Sequence, residues 1–295
     1  MVPSKVALRR TSTSPAQMTL ADLEFGALFN GITVSFVLYG VTCCQIMYYQ
    51  YHFRDDKAVM KWSVAMLLFL DTTQQIFLAD ILWHYLIDGR VPGRIVEFQL
   101  NWSYMGQTLP SEICAVIVQC FFVNRIRILD HRRKRILVLL VTIFISITFS
   151  IVYVIECARH PYAEYATKLE WIATVFVASR VFTDLAITIS LCTVLHMHYK
   201  PPGTERSNLL TTLLLRHSLA TGVLTSLLSI LYIATYFALP YAMIYSAIYC
   251  ICGKVYVNSM LSALNSRIPM RQIANEELQL QTIQVTSIFP DTHHQ

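Results

Sequence analysis

Charged residues are scarce in this chain. Asp, Glu, Lys and Arg make up 14% of its 295 residues, whereas hydrophobic residues make up 55%. Soluble domains carry about 25% charged residues, so this composition excludes an ordinary soluble domain. The net charge of +5 does not predict a nucleic-acid-binding surface, because the positive residues gather in short connections between apolar runs.

The chain also lacks the cysteine and histidine patterns of metal or disulfide frameworks. Nearly all of its eight cysteines lie inside apolar runs. A bridge between Cys114 and Cys157 stays open, although buried free thiols are common. Cys250 and Cys252 point to different faces of a helix, and no Cys/His partner pattern follows them. We therefore expect no metal site and no cofactor.

Apolar stretches long enough to cross a bilayer recur along the chain, which predicts an all-α membrane bundle of seven transmembrane helices. The predicted spans are residues 23–49, 59–86, 105–126, 136–156, 169–195, 210–237 and 241–264. Residues 1–22 have no apolar core, which predicts a disordered tail and not a cleaved signal peptide. The seven-helix domain then covers residues 23–267, and 268–295 form a polar C-terminal tail. Within this tail, residues 268–281 are compatible with an amphipathic helix, but an unstructured tail is the favoured interpretation.

The distribution of lysine and arginine predicts the orientation of the bundle. The basic loop Arg132, Arg133, Lys134 and Arg135 follows the third span, and positive residues favour the cytoplasmic side. This places the N-terminus outside and the C-terminus in the cytoplasm. The one Asn-x-Ser/Thr sequon, at Asn101, falls on the predicted outer side and is a candidate glycosylation site. The plasma membrane is the expected location.

The last apolar run carries a polar face. Lys254, Asn258, Ser262 and Asn265 are spaced at i, i+4, i+8 and i+11, which puts them on one side of a helix. Lys254 lies about 15 Å from the inner end of the span, near the middle of the hydrocarbon core. A cation at this depth costs about 2.5–3.5 kcal/mol on insertion scales. We therefore expect it to face other helices, water or an anion.

Other ionisable residues within the spans predict an intramembrane polar network. In one arrangement Asp71 or Asp184 neutralises Lys254 near the midplane. In a purely structural arrangement, which is favoured, Arg180 and Asp184 satisfy each other within the fifth span while Lys254 meets Asp71. Ligand or ion binding by the same groups is the functional alternative. Secondary polar candidates are Asp80, His84, Glu112, Arg216 and His217.

Four motifs together resemble one known family. They are Leu70-Asp71-Thr72-Thr73, Phe121-Phe122-Val123-Asn124-Arg125, Ala178 to Asp184 with Leu191-Cys192, and Gly253 to Arg267 with its Gly-Lys-x-Tyr-x-Asn-Ser and Leu-Asn-Ser-Arg segments. As a set they are similar to a large group of seven-helix membrane proteins of basidiomycete fungi, described only as a domain of unknown function. The resemblance covers residues 26–267. It implies an architecture and a fungal source, and it implies no activity.

Three other classes of seven-helix proteins fit less well. Asn124-Arg125-Ile126 stands where G-protein-coupled receptors carry Asp/Glu-Arg-Tyr, and Asn258-Ser259 stands where they carry Asn-Pro. A retinal protein is disfavoured because Cys250, not an aspartate, lies one turn before Lys254. Membrane zinc hydrolases need histidines in the last span, which has none.

The sequence therefore predicts a membrane protein that is not an enzyme. The leading hypothesis is a receptor- or sensor-like protein whose polar centre holds a small ligand or sets a conformational equilibrium. A secondary transporter or proton-coupled carrier is the alternative, although no internal repeat supports it. A scaffold with no signalling role is the third hypothesis. Expected partners are the lipid bilayer, a small-molecule ligand and a cytosolic partner at the basic loop, with no nucleic acid.

Overall fold

The computed structural model describes residues 15–86, 102–130, 132–159, 166–198, 206–239, 244–273, 275, 276 and 279. Within these ranges the regular secondary structure is entirely helical, as predicted. The helices are α1 (Pro15–His52), α2 (Ala58–Leu86), α3 (Trp102–Gly106), α4 (Thr108–Leu129), α5 (Arg133–Arg159), α6 (Ala166–His198), α7 (Arg206–Ala238) and α8 (Ile244–Asn265).

Six helices in the described part of the chain are long and apolar enough to cross a membrane, which makes this a multi-span membrane protein. The candidate spans are Gly26–His52, Ala58–His84, Arg133–Arg159, Trp171–Met197, Arg216–Ala238 and Ile244–Asn265. The predicted third span corresponds to α4, which is not among the six. At 22 residues α4 is long enough, but Glu112, Gln119 and Arg125 make it less apolar. Half of its residues are buried by neighbouring helices, so it needs fewer apolar side chains.

The first helix begins earlier than the sequence analysis places it. The predicted tail extends to residue 22, whereas α1 begins at Pro15. Proline is well suited to the first position of a helix, because its missing N–H would have no intrahelical acceptor there. The residues that follow, Ala16 to Leu23, include several good helix formers, which extend the helix beyond the apolar run. Residues 1–14 of the predicted tail lie outside the described residues.

The chain also remains helical past the predicted end of the bundle. After a turn at Ser266, residues 267–273 are helical, with the Met270 N–H bonded to the Ser266 carbonyl at 3.0 Å. The favoured interpretation of an unstructured tail from residue 268 is therefore wrong for this stretch. Its contact with the rest of the protein explains the order, since Arg267 pairs with Asp56 in the α1–α2 connection. The later part of the tail, from residue 280, lies outside the described residues.

The eighth helix is the centre of the bundle. Of the six candidate spans it is the most enclosed, with 78% of its window buried, and it contacts α1, α2, α4 and α7. Its most extensive contact is with α1. There the Gly31 backbone lies against Ala247, and a Cβ on Gly31 would come within 2.5 Å of the Ala247 Cα. Small residues allow such a close approach of two membrane helices.

Three interactions place one end of α1, α4, α7 and α8 at the same level. Asn265 of α8 bonds to α1, His217 of α7 bonds to α8, and Arg125 of α4 bonds to Ser218 of α7. This end is called the basic end, because it carries most of the exposed cations of the described residues. They are Arg54, Lys57, Lys61, Arg127, Arg132, Arg133, Lys134, Arg216 and Arg271.

The structure closes the question of the Cys114–Cys157 bridge, since both thiols are free and buried. Cys157 lines a small cavity with Met105 and Thr108, at the level of the first turn of α4. Cys114 lies six residues after Thr108, about 9 Å deeper in the bundle at the helical rise. A disulfide needs Cα atoms within about 7 Å of each other, so this difference in depth excludes the bridge.

We predict that Gly31→Ala destabilises the protein, because the new methyl group would overlap backbone atoms of Ala247. Overpacking of this kind costs about 1–3 kcal/mol. The matched control is Gly40→Ala in the same helix, where a Cβ meets no atom within 4 Å. The control should be neutral or slightly stabilising, since alanine favours a helix. Thermal unfolding of the purified protein in detergent checks both, and a Gly31→Ala melting temperature equal to that of the control would contradict the packing.

Candidate functional site

A buried ion pair joins α8 to α2 in the middle of the bundle. The Lys254 ammonium group donates to Asp71 Oδ1 at 2.6 Å and to the Asp71 carbonyl oxygen at 3.1 Å. Both side chains are 0% exposed. The ring of Tyr39 in α1 covers the ammonium group, with its centroid 5.4 Å from Nζ. The lysine ammonium group thus has two oxygen acceptors and one aromatic ring as close neighbours.

The rest of the polar face of α8 also bonds to its neighbours. Asn258 Nδ2 donates to the Leu38 carbonyl at 3.1 Å, and Asn265 Nδ2 donates to the Gln45 carbonyl at 2.8 Å. Ser262 Oγ lies 3.0 Å from Nε2 of His217 in α7. The side chains predicted to share one face thus tie α8 to α1, α2 and α7.

A second buried ion pair differs from the predicted pairing. Arg180 of α6 bonds to Glu112 of α4 and not to Asp184 one turn along its own helix. The hydroxyl of Tyr249 also donates to Glu112 Oε1, at 3.1 Å. The guanidinium group lies 4.9 Å from the centroid of the Tyr256 ring. A pair between two helices stabilises the bundle directly, and stacked rings suit the planar guanidinium group.

Asp184 is held by neutral donors from three helices. Gln119 Nε2 of α4 donates to its Oδ1 at 3.0 Å, and Ser229 Oγ of α7 donates to its Oδ2 at 2.8 Å. The Tyr256 hydroxyl of α8 donates to the same Oδ2. Three donors compensate the burial of a carboxylate, which is 4% exposed here. Sequence reasoning missed these donors, although mid-span Gln119 is a polar signal that could have indicated one of them.

Within the helices that the structure describes, buried carboxyl groups outnumber buried cations. The acids are Asp71, Glu112 and Asp184, and the bases are Arg180 and Lys254, while the fourth buried acid, Asp130, lies in the α4–α5 connection. Two ion pairs use one acid each, which leaves Asp184 with hydrogen-bond donors in place of an ion-pair partner. A carboxyl group in this position can bind or release a proton without breaking either pair.

A layer of amide side chains lies between the two ion pairs. A Cβ on Gly253 would lie 2.9 Å from Ser111 Oγ and 3.0 Å from Gln74 Nε2, so α8 needs glycine where these polar groups approach its backbone. Gln74 Nε2 and both amide atoms of Gln75 have no hydrogen-bond partner among the residues that the structure describes. Gln74 and Gln75 belong to the same helix as Asp71, and Ser111 precedes Glu112. The layer thus connects the surroundings of the two pairs.

Two of the secondary candidates, Glu112 and His217, take part in these contacts through Arg180 and Ser262, whereas the other three lie elsewhere. Asp80 is exposed and accepts a hydrogen bond from Ser103, and Arg216 is exposed near the basic end. His84 is half-buried near the opposite end of α2. Asn101 lies outside the described residues. No group of three His, Cys, Asp or Glu side chains that could hold a metal ion occurs in the described part of the chain.

The basic loop is only partly free. Arg135 Nη1 lies 2.7 Å from Asp130 Oδ2, whereas Arg132, Arg133 and Lys134 are exposed.

A cluster at the basic end was missed by the sequence analysis. The Arg267 guanidinium donates to both carboxylate oxygens of Asp56, at 3.0 and 2.6 Å, and the Tyr49 hydroxyl donates to the same carboxylate at 2.8 Å. The guanidinium carbon lies 4.1 Å from the centroid of the Phe53 ring. This group is called the end clasp. It joins the α1–α2 connection to the end of α8, and Arg267 within the Leu-Asn-Ser-Arg segment was the one sequence signal for it.

Comparison with known proteins supports the resemblance without adding an activity. Residues 180–268 match the model of a family described as "Family of unknown function (DUF6534)". The matched segment begins in α6 and includes α7 and α8, and therefore contains Arg180, Asp184 and Lys254. The similarity to a family of unknown function is thus confirmed for this part of the chain. No curated protein and no solved structure matches the chain.

We predict that Lys254 and Asp71 are energetically coupled. Lys254→Met leaves a buried carboxylate and Asp71→Asn leaves a buried ammonium group, and breaking a buried pair in this way costs about 3–5 kcal/mol. The double variant should lose less stability than the sum of the two single losses, because it removes both charges. A double-mutant cycle on thermal or denaturant unfolding in detergent measures the coupling. The exposed residues Lys57 and Asp55 provide the control cycle, which should be additive, and an equally additive Lys254–Asp71 cycle would contradict the pair.

We predict that the end clasp contributes stability that is lost in acid. The hydrogen bonds from Arg267 hold the pKa of the Asp56 carboxyl group below its ordinary value, despite partial burial. A carboxyl group with a lowered pKa stabilises the fold fully above its unfolded pKa of about 3.9. That stability is lost as the pH falls through the lowered value. The melting difference between wild type and Asp56→Asn should therefore stay constant from pH 7 to about pH 5 and shrink as the pH falls from about 5 to 3. A difference that stays constant between about pH 5 and pH 3 would contradict the assignment.

Proposed function

We propose that the protein is a receptor- or sensor-like membrane protein with seven crossings and no enzymatic activity. In this arrangement α4 crosses the membrane together with the six apolar helices, since α4 is surrounded by α2, α5, α6 and α8. The basic end faces the cytoplasm, because exposed lysine and arginine favour that side. The N-terminus then lies outside the cell, and the membrane that the protein crosses is the plasma membrane. Tags at the two termini that become accessible from opposite sides of intact cells test this orientation.

The observation that carries the receptor-like role is the Lys254–Asp71 pair at 0% exposure. A charged pair away from water is held by specific geometry, so a small displacement of α8 would exchange its partners and not deform them gradually. The same helix ends in the end clasp through Arg267. A change at the polar centre therefore has a rigid path to the basic end, where a cytosolic partner would bind. A small polar ligand or a proton is the input that suits these groups.

A proton-coupled carrier is the second candidate, and Asp184 is the observation that favours it. Its carboxylate has three neutral donors, and the helices that the structure describes bury one more acid than they bury bases. Intramembrane carboxyl groups of this kind serve as proton relays in pumps and transporters.

We predict that purified protein in liposomes separates the three hypotheses. Under an imposed pH gradient, a proton flux that is lost in Asp184→Asn and in Lys254→Ala would favour the carrier and contradict the receptor-like proposal. The receptor-like proposal would be supported by absence of flux together with a copurified small molecule that mass spectrometry detects in wild type and not in Lys254→Met. The outcome expected of a scaffold is different: Lys254→Met with Asp71→Asn would then leave every measured property except stability unchanged.

A further inference from the structure

Three cations at the start of α5 lie at the surface of the bundle. Arg132, Arg133 and Lys134 are exposed, with Arg132 70% exposed. The acid beside them, Asp130, pairs with Arg135 at 2.7 Å and lies 4.0 Å from Nε of Arg132, which stays exposed. Asp130 Oδ1 also accepts the backbone N–H of Arg132 at 3.2 Å. The acid thus holds the connection in place, while three positive charges face outward.

These cations lie at the depth of lipid headgroups. The next two turns of α5 expose Leu137, Val138, Leu140 and Val141 by 63%, 59%, 44% and 48%. With only 22% of its window buried, α5 is the least enclosed of the six candidate spans. Most of its apolar surface therefore faces lipid. One helical turn rises about 5.4 Å, so the charged first turn stands directly beside the acyl-chain surface. This is the position from which lysine and arginine reach phosphate groups.

The short connection between α4 and α5 favours lipid over a cytosolic protein. Only residues 130–132 separate the end of α4 from the start of α5, and the Asp130–Arg135 pair ties them to the helix. A segment of this length cannot extend far from the membrane. In addition, three cations at a helix N-terminus oppose the helix dipole, and a bound anion would offset this repulsion.

We propose that Arg132, Arg133 and Lys134 form a binding surface for the phosphate groups of anionic phospholipids. The surface lies outside the polar centre, and its occupation does not depend on the receptor-like role. An anionic lipid seated there would hold the α4–α5 end of the bundle at the headgroup level.

The test uses the full-length protein in phosphatidylcholine liposomes with spin-labelled phosphatidylserine or spin-labelled phosphatidylcholine as the probe. Electron paramagnetic resonance measures the fraction of each label that the protein immobilises. We expect wild type to prefer phosphatidylserine. In the variant Arg132→Gln, Arg133→Gln, Lys134→Gln this preference should fall at least about fivefold, the effect of roughly one basic residue near an anionic surface. The charge-conserving variant Arg132→Lys, Arg133→Lys should keep it, and Arg159→Gln at the opposite end should leave it unchanged.

Salt provides a measurement that needs no variant. In about 1 M NaCl the screening length falls to roughly 3 Å, so the wild-type preference should decrease markedly. A preference that is absent, insensitive to salt, or retained in the triple Gln variant with normal gel-filtration behaviour would overturn the proposal. Poly-glutamate offered to liposomes of phosphatidylcholine alone tests a protein partner. If it binds through the three cations while the lipid preference is unchanged by their removal, the surface serves an acidic protein instead.

Discussion

The structure depends on keeping the Lys254 ammonium group away from lipid. A cation near the middle of a bilayer is costly, and here Asp71 and the ring of Tyr39 take the place of water. This requirement brings α2 and α1 against α8. The close contact is possible because Gly31 and Ala247 let the backbones of α1 and α8 approach each other. The pair and the small residues are thus two parts of one packing solution, in which the most polar span is also the most enclosed one.

Around this pair the interior is organised as a polar core with connected layers. Glu112 and Arg180 join α4 to α6, and Asp184 collects donors from α4, α7 and α8. Between the pairs, Gln74 and Ser111 meet the backbone of α8 at Gly253. Such groups contribute little net stability compared with well-packed apolar side chains, but each tolerates few alternative arrangements. A core of this kind is suited to switching between a small number of packings.

The basic end of the molecule combines a fixed interior with a charged surface. In its interior, the end clasp fixes the C-terminal end of α8 to the α1–α2 connection through two hydrogen bonds from Arg267 and the ring of Phe53. The exposed cations of the same end remain available to the membrane surface. A displacement of α8 would therefore reach an end of the bundle that is fixed inside and positively charged outside. Lipid phosphates or an acidic partner would contact the protein at that charged surface.

The sequence by itself determined the class, the approximate helices and the face of α8 that carries Lys254, because hydrophobicity and the 3.6-residue period are local properties of the chain. It also favoured the Lys254–Asp71 contact, since few acids lie at that depth. It did not determine that Arg180 turns to Glu112 and not to Asp184, because two acids lay within reach and the choice depends on how α4 and α6 pack. The helical start at Pro15, the free Cys114 and Cys157, and the joining of Arg267 to Asp56 were likewise decided by the tertiary structure. Depth and distance between helices are properties of the assembled bundle, and no local pattern of residues specifies them.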